Sequence, residues 1–135
     1  MKTIFEAQRL NRWKIARTSA EERVAKLRRL RDALLAKREE LHKALHDDFR
    51  KNPGEADLTE IFPVISEINH TIKHLSDWMR PVSVPAPLAL FGTRSELRLE
   101  PRGLVLILSP WNYPINLLIN PLVAAMAAGN CCMLK

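Results

Sequence analysis

The stretch GLVLILSPWNYPINLLINPLVAAMAAGNCCMLK, residues 103–135, decides the fold. Leu104-Val105-Leu106-Ile107-Leu108 is an unbroken apolar run, as expected of a strand covered on both faces by helices. Pro114 to about Ala128 is rich in Leu and Ala and predicts a buried helix. Gly129-Asn130 stops that helix, and Cys131-Cys132-Met133-Leu134 begins a second apolar strand. Strand, helix and strand in that order predict a parallel β-α-β unit. No charged residue occurs from Gly103 to Leu134, a length that would cross a bilayer. Pro110, Pro114 and Pro121 interrupt the stretch, however, and Asn112, Asn116, Asn120 and Asn130 would each need a partner in lipid. No membrane span is expected.

Upstream the character changes. Thr3 with Glu6, and Ser19 with Glu22, have the spacing of capping boxes at helix starts. From Ser19 to about Phe49 the positions Val24, Leu27, Leu30, Leu34, Leu41 and Leu45 follow a helical period, and Asn52-Pro53-Gly54 is expected to end that helix. A third helix is expected from about Glu55 to Met79 on the series Leu58, Ile61, Phe62, Ile65, Ile68, Ile72 and Leu75, kinked but not ended by Pro63. Pro81, Pro85 and Pro87 open an extended regime, in which Ser95 to Glu100 alternates like a half-buried strand.

The 135 residues are 47% hydrophobic and 27% charged, which places the chain in the globular class. The net charge of +6 is concentrated in residues 1–48, and residues 103–135 carry only Lys135, so the basic excess gives little ground for a nucleic-acid partner. Adjacent Cys131 and Cys132 cannot staple a loop of any size, and Glu6 precedes any apolar leader. Both features favour a reducing, cytoplasmic setting over a secreted one. The most apolar part of the sequence lies last with nothing after it to cover it, the expectation being that residues 1–135 are the beginning of a larger protein.

The chemistry concentrates in Ser109-Pro110-Trp111-Asn112-Tyr113-Pro114, between a strand and a helix. Ligands of open α/β sheets bind at the carboxyl ends of strands. Two prolines stiffen this loop, Trp111 adds an apolar wall, and Asn112 offers an uncharged N–H donor of the kind that stabilises an oxyanion. The residues alone favour a plain proline-rich connection in which Asn112 caps the helix.

Pro110-Trp111-Asn112-Tyr113-Pro114, followed by Ala127-Ala128-Gly129-Asn130 and by Cys132-Met133-Leu134-Lys135, resembles the signature of the aldehyde dehydrogenase superfamily. Glu100-Pro101-Arg102-Gly103-Leu104-Val105 and the helix from Leu58-Thr59-Glu60-Ile61 through Glu67-Ile68-Asn69 to Trp78 are similar too. The loop tyrosine, the short N-terminus and that helix point to the class 3-like branch, which includes fatty and coniferyl aldehyde dehydrogenases. The resemblance implies an α/β fold in which N-terminal helices precede the first β-α-β unit of a Rossmann-like NAD(P)-binding domain, incomplete in this chain. It divides the chain into a helical part of the cofactor-binding domain (1–80), an extended segment like an oligomerisation arm (81–103) and the truncated β-α-β unit (104–135).

What the resemblance implies for function is oxidation of a small-molecule aldehyde to a carboxylic acid through a cysteine thiohemiacetal, with NAD or NADP as cofactor and a homodimer as the full-length assembly. Asn112 would be the oxyanion donor. Leu108, Ser109, Pro110 and Trp111 would line the cofactor cleft, and Lys135 would meet the adenosine ribose or a 2′-phosphate. The family's nucleophilic cysteine and general-base glutamate lie beyond these residues, so the chain alone is expected to be inactive. Cys131 and Cys132 sit in an expected buried strand and are assigned to packing.

Other candidates are weaker. His42 with His46, and His70 with His74, have i,i+4 spacing but no third metal ligand, and are expected on solvated helix faces. Lys26-Leu27-Arg28-Arg29-Leu30-Arg31 lacks interleaved aromatics and is expected to be a solvated face, and the Asn69-His70-Thr71 sequon is expected to be unused. The alternative function is a non-catalytic, basic helical interaction module.

Overall fold

The computed structural model describes residues 2–135. Helix α1 spans Lys2–Ala16 and already contains Thr3, and the Glu6 carboxylate accepts from Arg9 Nε at 2.8 Å. The first expected capping box is therefore not formed. The second is: the Glu22 N–H donates to Ser19 Oγ and the Ser19 N–H donates to Glu22 Oε2. It starts α2, Ala20–Ala36, which a break at Lys37 separates from α3, Arg38–Phe49.

Asn52-Pro53-Gly54 begins a helix instead of ending one. The left-handed residue after α3 is Arg50, at φ 57°. The Asn52 side chain then accepts from the Gly54 N–H at 2.9 Å, and Pro53 occupies the first position of α4, Pro53–Ala56, where no N–H is needed. A π-helical turn, Asp57–Ile61, leads into α5, Phe62–Trp78. Pro63 has no N–H to give the Thr59 carbonyl four residues back, and Asn116 Nδ2 supplies that bond from another helix at 2.7 Å. The irregularity expected at Pro63 thus lies in the wide turn just before it. That turn also rotates the buried face. Ile61, Val64, Ile68 and Leu75 are buried, whereas Leu58 and Phe62, both placed in the apolar series, are 71% and 49% exposed.

Beyond α5, β1 (Val82–Val84) and β2 (Ser95–Leu97) form an antiparallel ribbon with Val82 opposite Leu97, closed by a 3₁₀ turn at Leu88–Leu90. The strand expected over Ser95 to Glu100 is shorter and largely exposed, because no described element covers the ribbon.

The β-α-β unit is present. Strand β3 (Leu104–Ile107) lies parallel to β4 (Cys131–Leu134), with Leu104 opposite Cys131 and Ile107 opposite Leu134, and α6 (Asn116–Ala127) makes the crossover. Helices α2, α5 and α6 enclose the core of Leu27, Val64, Ile68, Leu75, Val123 and Ala127. Helix α1 packs on the sheet but leaves it partly open, and Leu106 is 57% exposed. The expected cover of β3 on both faces is therefore incomplete among the described residues.

One buried cation joins these layers. The Arg23 guanidinium donates to the carbonyls of Ala127 and Ala16, each at 2.9 Å, and to Thr18 Oγ1 at 3.1 Å. It closes the carboxyl end of α6, where a positive charge complements the helix dipole. Gly129, at φ 84°, follows at once, and a Cβ there would lie 2.5 Å from the guanidinium carbon. Gly129→Ala is therefore expected to lower stability by about 1–3 kcal/mol, through backbone strain and displacement of Arg23. Denaturant unfolding of the protein that carries this chain measures it, and an unchanged midpoint would contradict the account.

Candidate functional site

Parallel pairing runs one step past the strands. The Lys135 N–H donates to the Ile107 carbonyl and the Ser109 N–H donates to the Lys135 carbonyl, both at 2.9 Å. Leu108 and Ser109 are thereby set beside Lys135 at the carboxyl ends of β3 and β4. Ser109 Oγ donates within the loop, to the carbonyls of Pro110 and Pro114 at 3.2 and 3.3 Å. Pro110 is exposed, and Trp111, 78% exposed, stacks on Phe49 with ring centroids 6.4 Å apart. The Asn112 side chain is exposed and has no hydrogen-bond partner among the described residues. The six residues singled out from the sequence thus share one rim of the sheet.

What holds this rim was not anticipated. Glu60, on the π-helical turn, is fully buried, and its Oε2 accepts the backbone N–H groups of Ile115 and Asn116 at 3.1 and 3.0 Å. Its Oε1 accepts from Lys51 Nζ at 2.7 Å. The same ammonium lies 3.5 Å from the Asn112 carbonyl and 4.4 Å over the Tyr113 ring. A carboxylate at a helix amino end satisfies open N–H donors and complements the dipole. Glu60, and not Asn112, therefore caps α6, and the Asn112 amide is left free.

The same contact bears on anion binding. The amino end of the crossover helix is the usual seat of a pyrophosphate in dinucleotide folds. Here that seat already holds the Glu60 carboxylate, in keeping with the absence of a Gly-x-Gly-x-x-Gly stretch from the β3–α6 loop. The exposed rim still offers a lysine ammonium and an aromatic face. That donor set fits the ribose and ring portions of a dinucleotide, though not its pyrophosphate.

The remaining candidates are structural. Burial raises the Cys131 thiol above its ordinary value, and burial with the neighbouring Cys131 pushes Cys132 to about 11, so neither is an activated nucleophile. His42 is buried, not solvated as expected, and its Nε2 lies 2.8 Å from Asp57 Oδ1. Arg38 binds both oxygens of the same carboxylate, with Nε to Oδ1 at 2.8 Å. His70, His74 and Trp78 cluster on α5 with ring centroids 4.6, 5.6 and 5.9 Å apart, His74 stacked on Trp78 and His70 tilted against both. In the basic run, Arg31 Nη1 donates to Asn69 Oδ1 on α5. Among the described residues there is no group of three metal-ligating side chains, and no helix is long and apolar enough to cross a membrane.

The chain is similar to known proteins over its whole length. The sequence profile of the aldehyde dehydrogenase family matches residues 2–135. A probable coniferyl aldehyde dehydrogenase of Caulobacter vibrioides is 35% identical, aligning with the whole chain and with 29% of its own length. Aldehyde dehydrogenase family 3 member B1 of Bos taurus is 46% identical over 116 residues, 86% of the chain and 25% of its own length. The substrate-bound structure of Staphylococcus aureus AldH superposes with a TM-score of 0.94 at 34% identity, covering 99% of the chain and 29% of that protein. The chain thus spans between a quarter and a third of the length of these three relatives.

The Arg38–Asp57–His42 cluster ties α3 to the turn that carries Glu60. The Arg38 guanidinium first, and His42 with it, hold the Asp57 carboxyl down from 3.8 to about 2, against an opposing push from burial. A depressed carboxyl contributes stability that is fully present above its unfolded value and lost as pH falls through its folded value. Stability is therefore expected to fall between about pH 4 and pH 2, with a shallower fall in Asp57→Asn. Denaturation midpoints against pH read this, and identical acid limbs would contradict it.

Proposed function

The chain belongs to the aldehyde dehydrogenase family, and from that premise we propose that it supplies the oxyanion-donating loop and one wall of the cofactor cleft of an NAD(P)-dependent aldehyde dehydrogenase. The observation that carries this reading is the free, exposed Asn112 amide on a loop held from beneath by Glu60 and Lys51. As a cysteine thiolate from another part of the enzyme adds to the aldehyde carbon, charge gathers on the carbonyl oxygen. The Asn112 side chain donates to that oxygen, and a rigid loop spares it reorganisation at the moment of reaction.

A dinucleotide held by this wall would supply the hydride acceptor for the oxidation. The chain's part there is to bind and orient. Leu108, Ser109, Pro110 and Trp111 form the wall, and the Lys135 ammonium reaches a ribose hydroxyl of NAD or the 2′-phosphate of NADP. The aldehyde is a small molecule, and one relative is named a probable coniferyl aldehyde dehydrogenase.

The β1–β2 ribbon is proposed as the arm of a homodimer, since Leu88 and Phe91 at its tip are 89% and 91% exposed and need a covering surface. Two adjacent free cysteines are in keeping with a cytoplasmic location. The 135 residues alone are proposed to be inactive, for want of an activated nucleophile. The basic interaction module has no comparable support, because the family match runs from residue 2 to residue 135.

In the full-length enzyme, Asn112→Ala is expected to lower kcat by about 100- to 1,000-fold with little change in KM, the size of effect seen when one oxyanion donor is removed. Steady-state kinetics measure it, and a loss below about threefold would refute the assignment.

A further inference from the structure

The mechanism above uses Asn112 but not the buried charges behind it. Glu60 has zero exposure and Lys51 is 8% exposed, so both charges have left water. Such a pair is retained only where the geometry returns the cost of desolvation, and removing one partner strands the other. Apart from the ion pair that joins them, the polar contacts of these two side chains among the described residues go to the loop and helix start that follow β3. Glu60 Oε2 holds the N–H groups of Ile115 and Asn116, three and four residues after Asn112. Lys51 Nζ faces the carbonyl of Asn112 itself and the ring of Tyr113.

We propose that Glu60, with Lys51 as its buried counter-cation, is a positioning residue for the oxyanion donor: together they fix the backbone at Asn112 and just after it, and so aim an amide that has no side-chain partner of its own among the described residues. This rests on the oxyanion reading and deepens it. The geometry leaves Asn112 few other supports. Its amide is exposed, the prolines at 110 and 114 stiffen the loop without anchoring it, and Trp111 leans on Phe49 at the rim. A backbone free to shift by an ångström would carry the donor out of the 2.7–3.1 Å range that an oxyanion requires. The device also explains why a carboxylate occupies the amino end of α6 in a fold that commonly offers that end to phosphate. The anion there is a resident part of the loop's support.

The test is a double-mutant cycle in the full-length enzyme, with hexanal and NAD or NADP as probes. Glu60→Gln keeps the shape but turns an NH₂ group toward the Lys51 ammonium or toward the two backbone donors. It is expected to lower kcat about tenfold or more, with KM for hexanal and for the dinucleotide within about threefold of wild type. In an Asn112→Ala background, the same substitution is expected to cost less than about threefold further, because the group it aims is gone. Equal losses in both backgrounds, or no loss in either, would overturn the positioning role. Where Glu60→Gln lowers the yield of folded enzyme, Lys51→Met is taken through the same cycle with the same expected pattern. The two readings fail differently. If Asn112→Ala leaves kcat within threefold, the oxyanion assignment falls and the positioning role falls with it. If Asn112→Ala lowers kcat about 100-fold or more but Glu60→Gln acts equally in both backgrounds, the positioning role alone falls.

Discussion

A carboxylate out of contact with water must find its hydrogen bonds inside the protein, and Glu60 finds three: two backbone N–H groups at the start of α6 and the ammonium of Lys51. That requirement ties the junction of α4 and α5 to the loop after β3, segments some fifty residues apart in the chain. The π-helical turn makes it possible, because the extra residue in the turn swings position 60 onto the buried face. Pro63 joins the same link from the other direction. Its missing N–H leaves the Thr59 carbonyl open, and Asn116 fills it from the first turn of α6.

Helix α6 is clamped by opposite charges at its two ends. Glu60 sits at the amino end and Arg23 at the carboxyl end, each buried and each bonded to backbone groups that the helix leaves unpaired. Between them the crossover is fixed in length and tilt, and with it the register of β3 against β4. Asn130 reinforces the carboxyl end, where its side chain accepts from the Gly103 N–H and donates to the Ala125 carbonyl. The functional rim hangs between two fixed points, the last rung of the sheet and the first turn of the helix. It is exposed without being loosely held.

The β-α-β unit was legible in the sequence because its signals are local: a continuous apolar run, proline and glycine boundaries, and a second apolar run at crossover distance. Ser19 with Glu22 was legible for the same reason. Glu60 and Lys51 were not. A glutamate within an amphipathic helix reads as solvated unless the phase of the buried stripe is known, and the wide turn shifts that phase so that Leu58 and Phe62 face out while Asp57 and Glu60 face in. One signal was available: Glu60, Val64, Ile68, Thr71 and Leu75 keep helical spacing, so that a charge stands in line with a buried series. The Thr3 box failed because α1 starts ahead of it, and Asn52-Pro53-Gly54 proved to be a helix start because Pro at a first position and an Asn cap serve a beginning as well as a break.

The central claim is that Glu60 secures the start of α6. Amide hydrogen exchange at Ile115 and Asn116 in the full-length protein tests it most directly, because N–H groups at the start of a helix have no partner within it and ordinarily exchange fast. The account predicts that both amides are protected about 100-fold or more relative to the exposed loop amide of Trp111. Exchange at the Trp111 rate would contradict it.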